Sequence, residues 1–290
     1  MISKLKKGDR VDIVATSSFI EEKESFYSGV KIIEDWGLTV NISKFIFRKY
    51  GYFSGTDDER FSELMEVQKS KLIFFAKGGW GSARLLEKGP RWGNQWMIGF
   101  SDTSSLLLSK YSHGTLGSIH GPMITTLVNE PEWSLERLKN LLFKGFLNDL
   151  NGKPLKRGEA TGEIIVSNLT IFSFLVGTKH FPNLKGKIVI FEDINEDIYK
   201  IDRMITYLRM TQKFEEIAGL GFGNFLNKDA NSEDHLFFEN LILERFAEFN
   251  IPIVVNLPIG HLYGNACIPL GFKTKLNGFT GKLSIDIKLD

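Results

Sequence analysis

Cysteine is almost missing: Cys267 is the only one in 290 residues. That excludes an intrachain disulfide framework and any multi-cysteine zinc site, and it fits a reducing compartment. An excess of either charge is missing too. Lys and Arg total 36 against 35 Asp and Glu, a formal charge of +1, so no global field draws the chain to nucleic acid or to an anionic membrane. No window approaches the roughly 18 apolar residues of a membrane span. The stretch MISKLKKGDRVDIVATSS is basic, but Asp9 and Asp12 interrupt it before it reaches signal-peptide hydrophobicity. A cytoplasmic protein is the expectation. Low-complexity tracts, short-period repeats and HExxH pairs are absent, and the histidines at 113, 120, 180, 235 and 261 are scattered. No metal and no cofactor are expected, and the partner should be a small molecule or another protein.

What remains is an ordinary globular composition, 42% hydrophobic and 24% charged, on a chain about twice the length of a common domain. VDIVA at 11–15 reads as a strand, followed by a loop and a helical pattern of Phe26, Val30 and Ile33 that closes at Gly37. LTVNIS at 38–43 reads as a strand, and Thr56 with Glu59 forms a capping box that opens a second helix at about residue 57. KLIFFA at 71–76 and WMIGF at 96–100 are continuous apolar runs, as parallel strands buried on both faces should be. The first half, residues 1–148, is therefore expected to be an open, mainly parallel α/β sheet domain with flanking helices. The polar stretch 149–160 is the expected linker. Residues 161–290, with strands at 186–193 and 251–258 and helical patterns around 197–210 and 233–249, should form a mixed α/β, strand-rich domain.

Sites in open α/β sheets lie in the loops beyond the carboxyl ends of the strands. Ser101, in GFSDT, sits between a strand and a helix, as a nucleophile elbow requires, although GxSxG is absent and Ser101, Asp102 or Thr103 could equally cap the helix. KGGWGS at 77–82 offers backbone N–H groups to an anion, or is simply a tight turn. GLGFG at 219–223 reads as a glycine-rich strand. His261, after the apolar strand IPIVV and among Pro258, Gly260 and Gly264, is the best placed general base. His120 in SIHGPM is placed similarly. Glu192 and Asp193 end the strand GKIVIF, either as a solvated strand end or with Glu192 as an acid that orients a histidine.

Together these segments resemble the LD-carboxypeptidase family of serine peptidases, which includes murein LD-carboxypeptidases and microcin self-immunity amidases. The resemblance rests on an ordered set: KKGDRVDIVATSS, GYFSGTDDERFSELMEV, AKGGWGSARLL, IGFSDTSSLL, IHGPM, IVIFEDINEDIYKIDRMITYLR, GLGFGNF and IPIVVNLPIGH. It implies a triad of Ser101 as nucleophile, His261 as base and Glu192 as orienting acid. The implied oxyanion hole uses a backbone amide of Gly78 or Gly79 and that of Asp102. Implied too are a cleft between the two domains, a small peptide substrate and a homodimer. The chain departs from the family pattern in VSNLT at 166–170, which keeps Asn168 and Leu169 where a GGNL-like stretch is usual, and in Trp80, where Tyr is common. HGP at 120–122 looks more like the murein branch. Arg84 and Arg203 are candidates for binding substrate carboxylates, since Arg suits bidentate recognition, and are as readily surface or helix-face charges. The expected activity is release of terminal D-alanine from murein tetrapeptides in cell-wall recycling. The alternatives are an amidase acting on a peptide-nucleotide antibiotic or other acyl amide, and a non-catalytic module binding a small anion.

Overall fold

The computed structural model describes residues 2–226 and 230–289. Five strands of the first half, β1 (Arg10–Val14), β2 (Thr39–Ile42), β3 (Leu72–Phe75), β4 (Trp96–Gly99) and β5 (Ser118–His120), run parallel in the order β5-β4-β3-β1-β2. β3 and β4 are buried throughout, which is why their sequences are unbroken apolar runs rather than alternating ones. One face of this sheet carries α1 (Lys23–Asp35), α5 (Ile124–Leu127) and α6 (Glu132–Lys144), around a core that includes Phe26, Ile33, Phe74 and Leu138. Facing the other side are α2 (Asp57–Glu66), α3 (Ser82–Leu85) and α4 (Ser104–Ser112). The expected Thr56–Glu59 capping box is formed at the start of α2. In α4 every residue from Ser104 to Lys110 is buried, because the helix lies between this sheet and α7 (Leu169–Phe174) of the second half.

Among the described residues the second sheet has eight strands: β6 (Leu150–Asn151), β7 (Lys153–Lys156), β8 (Glu159–Asn168), β9 (Ile188–Glu192), β10 (Gly219–Phe222), β11 (Ile253–Val255), β13 (Lys273–Asn277) and β14 (Lys282–Asp286). β8, β9, β10 and β11 are parallel, and antiparallel strands flank them on both sides. The helices α8 (Ile198–Met210) and α9 (Ser232–Arg245) make the connections between β9, β10 and β11. GLGFG is thus the glycine-rich strand expected.

Two sequence expectations need correction. Residues 149–160 are not a free linker: β6 and β7 are paired strands of the second sheet and β8 starts at Glu159. The polar composition that suggested a linker belongs to edge strands, where Pro154 costs little and Lys156 reaches over to donate to the carbonyls of Phe246 and Ala247 at 2.8 and 2.9 Å. Nor does the chain beyond 161 stay in the second sheet. Its short strand β12 (Ile268–Pro269) pairs antiparallel with β5 of the first. Buried side chains from both halves, among them Phe75, Leu107, Ile165 and Phe191, form one continuous cluster.

Candidate active site

The carboxyl ends of β1, β3, β4 and β5 lie side by side, and the strand order turns back between β1 and β3, the place where loops diverge and leave a crevice. Ser101 begins a short 3-10 turn directly after β4, with φ at +58°. A non-glycine residue held in the left-handed region costs energy and persists only where its surroundings impose it. Helix capping is not what imposes it. The N-cap positions of this turn and of α4 are Phe100 and Thr103, neither with a capping side-chain bond, and Thr103 Oγ1 donates back to the Phe100 carbonyl at 2.8 Å.

The surroundings that do are the loops after β1 and β3. Asp102 is buried, and its Oδ2 accepts from Ser17 Oγ at 2.6 Å and from the Ser82 backbone N–H at 2.8 Å, so its side chain ties both neighbouring loops to the serine turn. Burial nonetheless pushes the Asp102 carboxyl up from its ordinary range, with these hydrogen bonds opposing the shift. Gly78 lies against Ser101: a Cβ there would stand 3.2 Å from Ser101 Cβ and 3.3 Å from Oγ. Gly79 has φ at +113°, and a Cβ on it would come within 2.1 Å of Ser18 Oγ. The Gly78 carbonyl accepts from the Ser18 N–H at 3.2 Å, so the Gly79 N–H, on the opposite edge of that peptide plane, points away from Ser18. Among the described residues neither the Gly79 nor the Asp102 N–H has a protein acceptor.

The second half supplies the other groups. Glu192 ends β9 with its side chain fully buried, and Oε2 lies 2.8 Å from His261 Nδ1. A carboxylate can only accept, so Nδ1 carries the proton and Nε2 keeps its lone pair. Burial alone would raise the Glu192 carboxyl. The two imidazoles beside it, His120 and the hydrogen-bonded His261, outweigh that and bring the value down to about 2. Burial pulls the His261 imidazole down, but the Glu192 carboxylate dominates and its value ends above the ordinary 6.5. The loop holding His261 depends on Gly260, at φ +108°, where a Cβ would lie 2.7 Å from Glu192 Cβ. Its N–H donates to Asn265 Oδ1 at 2.9 Å. Phe100, the residue before Ser101, packs its ring on His261 with centroids 4.6 Å apart. Among the described residues no hydrogen bond joins Ser101 Oγ to His261, and such contacts commonly tighten only when substrate is bound.

A cavity of about 620 Å³ opens beside His261, lined also by Phe100, Thr126, Glu130, Gly260 and Tyr263. Another of the same volume, about 620 Å³, lies at the far edge of the first sheet around Arg10, Asp12 and Arg48, whose charges are paired with one another or with Glu59 and Glu63. Neither Arg84 nor Arg203 lines the cavity at His261. Arg84 is held by Asp57 through contacts of 3.0 and 2.6 Å, and Arg203 is exposed on α8. Asp193 is no solvated strand end either: buried, it accepts from Asn168 Nδ2 at 2.9 Å and from the Thr170 N–H at 2.9 Å, fixing the start of α7. That gives Asn168, kept from the family's GGNL-like stretch, a structural task. Sequence reasoning assigned no role to Ser17, Ser82 or Asn265, and offered His120 only as a second histidine placed like His261. Only contacts between distant segments reveal them. Among the described residues no helix is long and apolar enough to cross a membrane, and no cluster of three or more His, Cys, Asp or Glu side chains is arranged to hold a metal.

Comparison with known proteins agrees with this architecture. Residues 11–121 match the model of the LD-carboxypeptidase N-terminal domain and residues 161–276 that of the C-terminal domain. The chain belongs to the LD-carboxypeptidase family, a family of peptidases. A Synechocystis sp. protein that carries a carboxypeptidase name is 36% identical over 97% of this chain and 95% of its own. The murein tetrapeptide carboxypeptidase of Pseudomonas aeruginosa is 27% identical, covering 93% of each chain. Among solved structures, an MccF-like protein from Bacillus anthracis superposes with a TM-score of 0.86 over 99% of both chains at 22% identity, which speaks for the fold.

Proposed function

We propose that this protein is a serine carboxypeptidase that cleaves the L,D-amide bond of murein tetrapeptides and releases the terminal D-alanine. The observation that carries the reading is the buried Glu192–His261 bond of 2.8 Å, with His261 packed against the residue that precedes a serine held at φ +58°. Ser101 Oγ attacks the scissile carbonyl while His261 Nε2 takes its proton. The oxyanion is received by the N–H groups of Asp102 and of Gly79, next to Gly78, whose backbone already abuts the serine. Collapse of the intermediate breaks the C–N bond, and His261 returns the proton to the departing amine. Water, deprotonated by the same imidazole, then releases the acyl group from Ser101. Glu192 keeps Nδ1 protonated throughout and stabilises the imidazolium that forms twice per turnover. In this reading the enzyme works in the cytoplasm on peptides recovered from the wall.

The name of the Pseudomonas aeruginosa relative and the HGP segment support a murein peptide as substrate. An amidase acting on a peptide-nucleotide antibiotic would use the same groups, and the likeness to the MccF-like protein supports that second reading through the fold alone. The test is release of free D-alanine from a synthetic murein tetrapeptide by wild type, with Ser101→Ala beside it and a chelator present. Release by wild type only is expected. Equal release by both proteins would remove Ser101 from the mechanism. No release by folded wild type would overturn the murein assignment, and labelling of Ser101 by a serine-directed phosphonate would then separate an amidase from a binding module.

A further inference from the structure

His120 ends β5 and is fully buried, and its Nε2 lies 3.6 Å from Glu192 Oε1, the carboxylate oxygen that His261 does not use. Among the described residues neither ring nitrogen of His120 nor Glu192 Oε1 has a hydrogen-bond partner. A buried carboxylate oxygen and a buried imidazole are each costly when unpaired, and here the two stand 3.6 Å apart, each within reach of the other. A proton on Nε2 faces the carboxylate oxygen across a gap that an approach of about half an ångström closes to a hydrogen bond, and it leaves at Nδ1 a lone pair, a cheaper orphan than an N–H. His120 pairs in register with Gly99, two residues before Ser101. It therefore stands on the serine-bearing sheet and reaches to the acid of the other one.

We propose that His120 is a positioning residue that donates Nε2–H to Glu192 Oε1 and so fixes the Glu192–His261 pair relative to Ser101. The inference rests on the reading of these three residues as the reacting set. Its chemistry is a second imidazole on one carboxylate, with separate duties: His261 exchanges protons with the substrate and His120 does not. Around Glu192 the titratable neighbours are His120 from β5, His261 from the loop after β11, and Asp193 beside it in the chain. Losing the His120 donor concentrates the Glu192 charge on His261, so the imidazole becomes harder to deprotonate. The acidic limb of the rate profile should then move to higher pH.

The rate of Ser101 labelling by a fluorophosphonate, followed against pH, reads this without a known substrate. His120→Phe keeps a flat ring against Phe100 and removes the donor. It should label roughly tenfold more slowly or worse at the optimum, the order expected for a hydrogen bond to a charged group, with the acidic limb shifted upward. His120→Gln, whose Nε2 can occupy nearly the same place, should recover most of the rate and return the limb toward wild type. Should His120→Phe fail to fold, His120→Gln and the nitrogen shifts of wild-type His120 still decide, since a neutral ring protonated at Nδ1 would overturn the proposal. So would wild-type rate and limb in His120→Phe. Ser101→Ala and His261→Ala run in parallel: if His261→Ala labels normally, the underlying assignment fails, whereas inert controls beside a normal His120→Phe sink only the present proposal.

Discussion

Replacing Glu192 by Gln keeps the size of a fully buried side chain and removes its charge. In wild type, Oε2 accepts from His261 Nδ1 over 2.8 Å and the carboxyl is held at about 2 rather than 4.5, which corresponds to about 3 kcal/mol of interaction favouring the ionised form. An amide at this position has two ways to meet the imidazole. Presenting its oxygen, it preserves the tautomer but loses the charge that stabilises the imidazolium, and a hydrogen bond to a charged group, about 1.5–3 kcal/mol, is roughly 10 to 10² in rate. Presenting its NH2, it forces the proton onto Nε2 and leaves Ser101 without a base. Turnover should therefore fall by at least roughly 10-fold with the oxygen presented and by up to about 10⁴ with the NH2 presented, the latter the size of the equivalent Asp→Asn change in another serine protease. Stability should change in a defined window. Because the folded value is depressed, the carboxylate's contribution is fully present above pH 4.5 and is lost as pH falls toward about 2. Glu192→Gln should accordingly be less stable than wild type at pH 7, with the gap closing between those values. D-alanine release together with urea unfolding at pH 7, 4.5 and 3 measures both effects. Turnover within tenfold of wild type in a folded variant would refute the role given to Glu192, and a stability gap that does not narrow in acid would refute the charge argument.

The raised value of His261 predicts that the acidic limb of kcat/KM lies above 6.5, since the base form is required, and that Glu192→Gln moves any residual limb downward; a wild-type limb well below 6.5 would count against His261 as base. Gly260→Ala combines a φ of +108° with a Cβ 2.7 Å from Glu192 Cβ, so it should lower both thermal midpoint and turnover, whereas Gly8→Ala, with φ +85° and open space, should cost only about 1 kcal/mol and no activity. Equal effects of the two would argue that the packing at Gly260 is unimportant. Burial brings the Lys110 ammonium down to about 7 from 10.5, so the folded state resists protonation and loses stability as pH falls through that interval. Lys110→Met should therefore unfold at a higher temperature than wild type at pH 7 and lose that advantage toward pH 10.5, and a difference independent of pH would contradict the assignment.

Much of this molecule was legible because its strands obey burial. LIFF and WMIG are apolar on both faces and could only be interior parallel strands, and the Thr56–Glu59 box marks a helix start by local hydrogen bonding alone. The segments around Ser101, Glu192 and His261 stood out because each puts a reactive group directly after such a strand. What was not legible depends on pairing between remote parts of the chain. β7 and β12 are too short and too polar or too proline-bearing to announce themselves, and they exist because β11 and β5 offer them edges. Asp102 looked like a helix cap, and only the closeness of Ser17 and Ser82 turns its side chain elsewhere.

The route of the chain between β11 and β12 explains why the groups meet. β11 belongs to the second sheet and β12 to the first, so the segment from Asn256 to Cys267 has to cross from one to the other, and His261 lies in the middle of that crossing. A base on either domain alone would be tied to the serine or to the carboxylate but not to both. At the far end of the crossing, Ser134 Oγ donates to the Asn265 carbonyl at 3.0 Å and the Asn265 N–H donates to Glu130 at 2.9 Å, so the first domain grips the loop directly. The near end is held by Asn224, whose N–H donates to the Ile259 carbonyl at 2.9 Å. With each end fixed to a different sheet, any opening of the interface must displace His261 from Ser101 or from Glu192. A weakening of β12 pairing, as by Ile268→Asp at a fully buried position, should thus reduce turnover before it abolishes either sheet. Circular dichroism with the D-alanine assay on one sample distinguishes that order of loss from simultaneous collapse, which would show that the site has no dependence on the crossing separate from the fold itself.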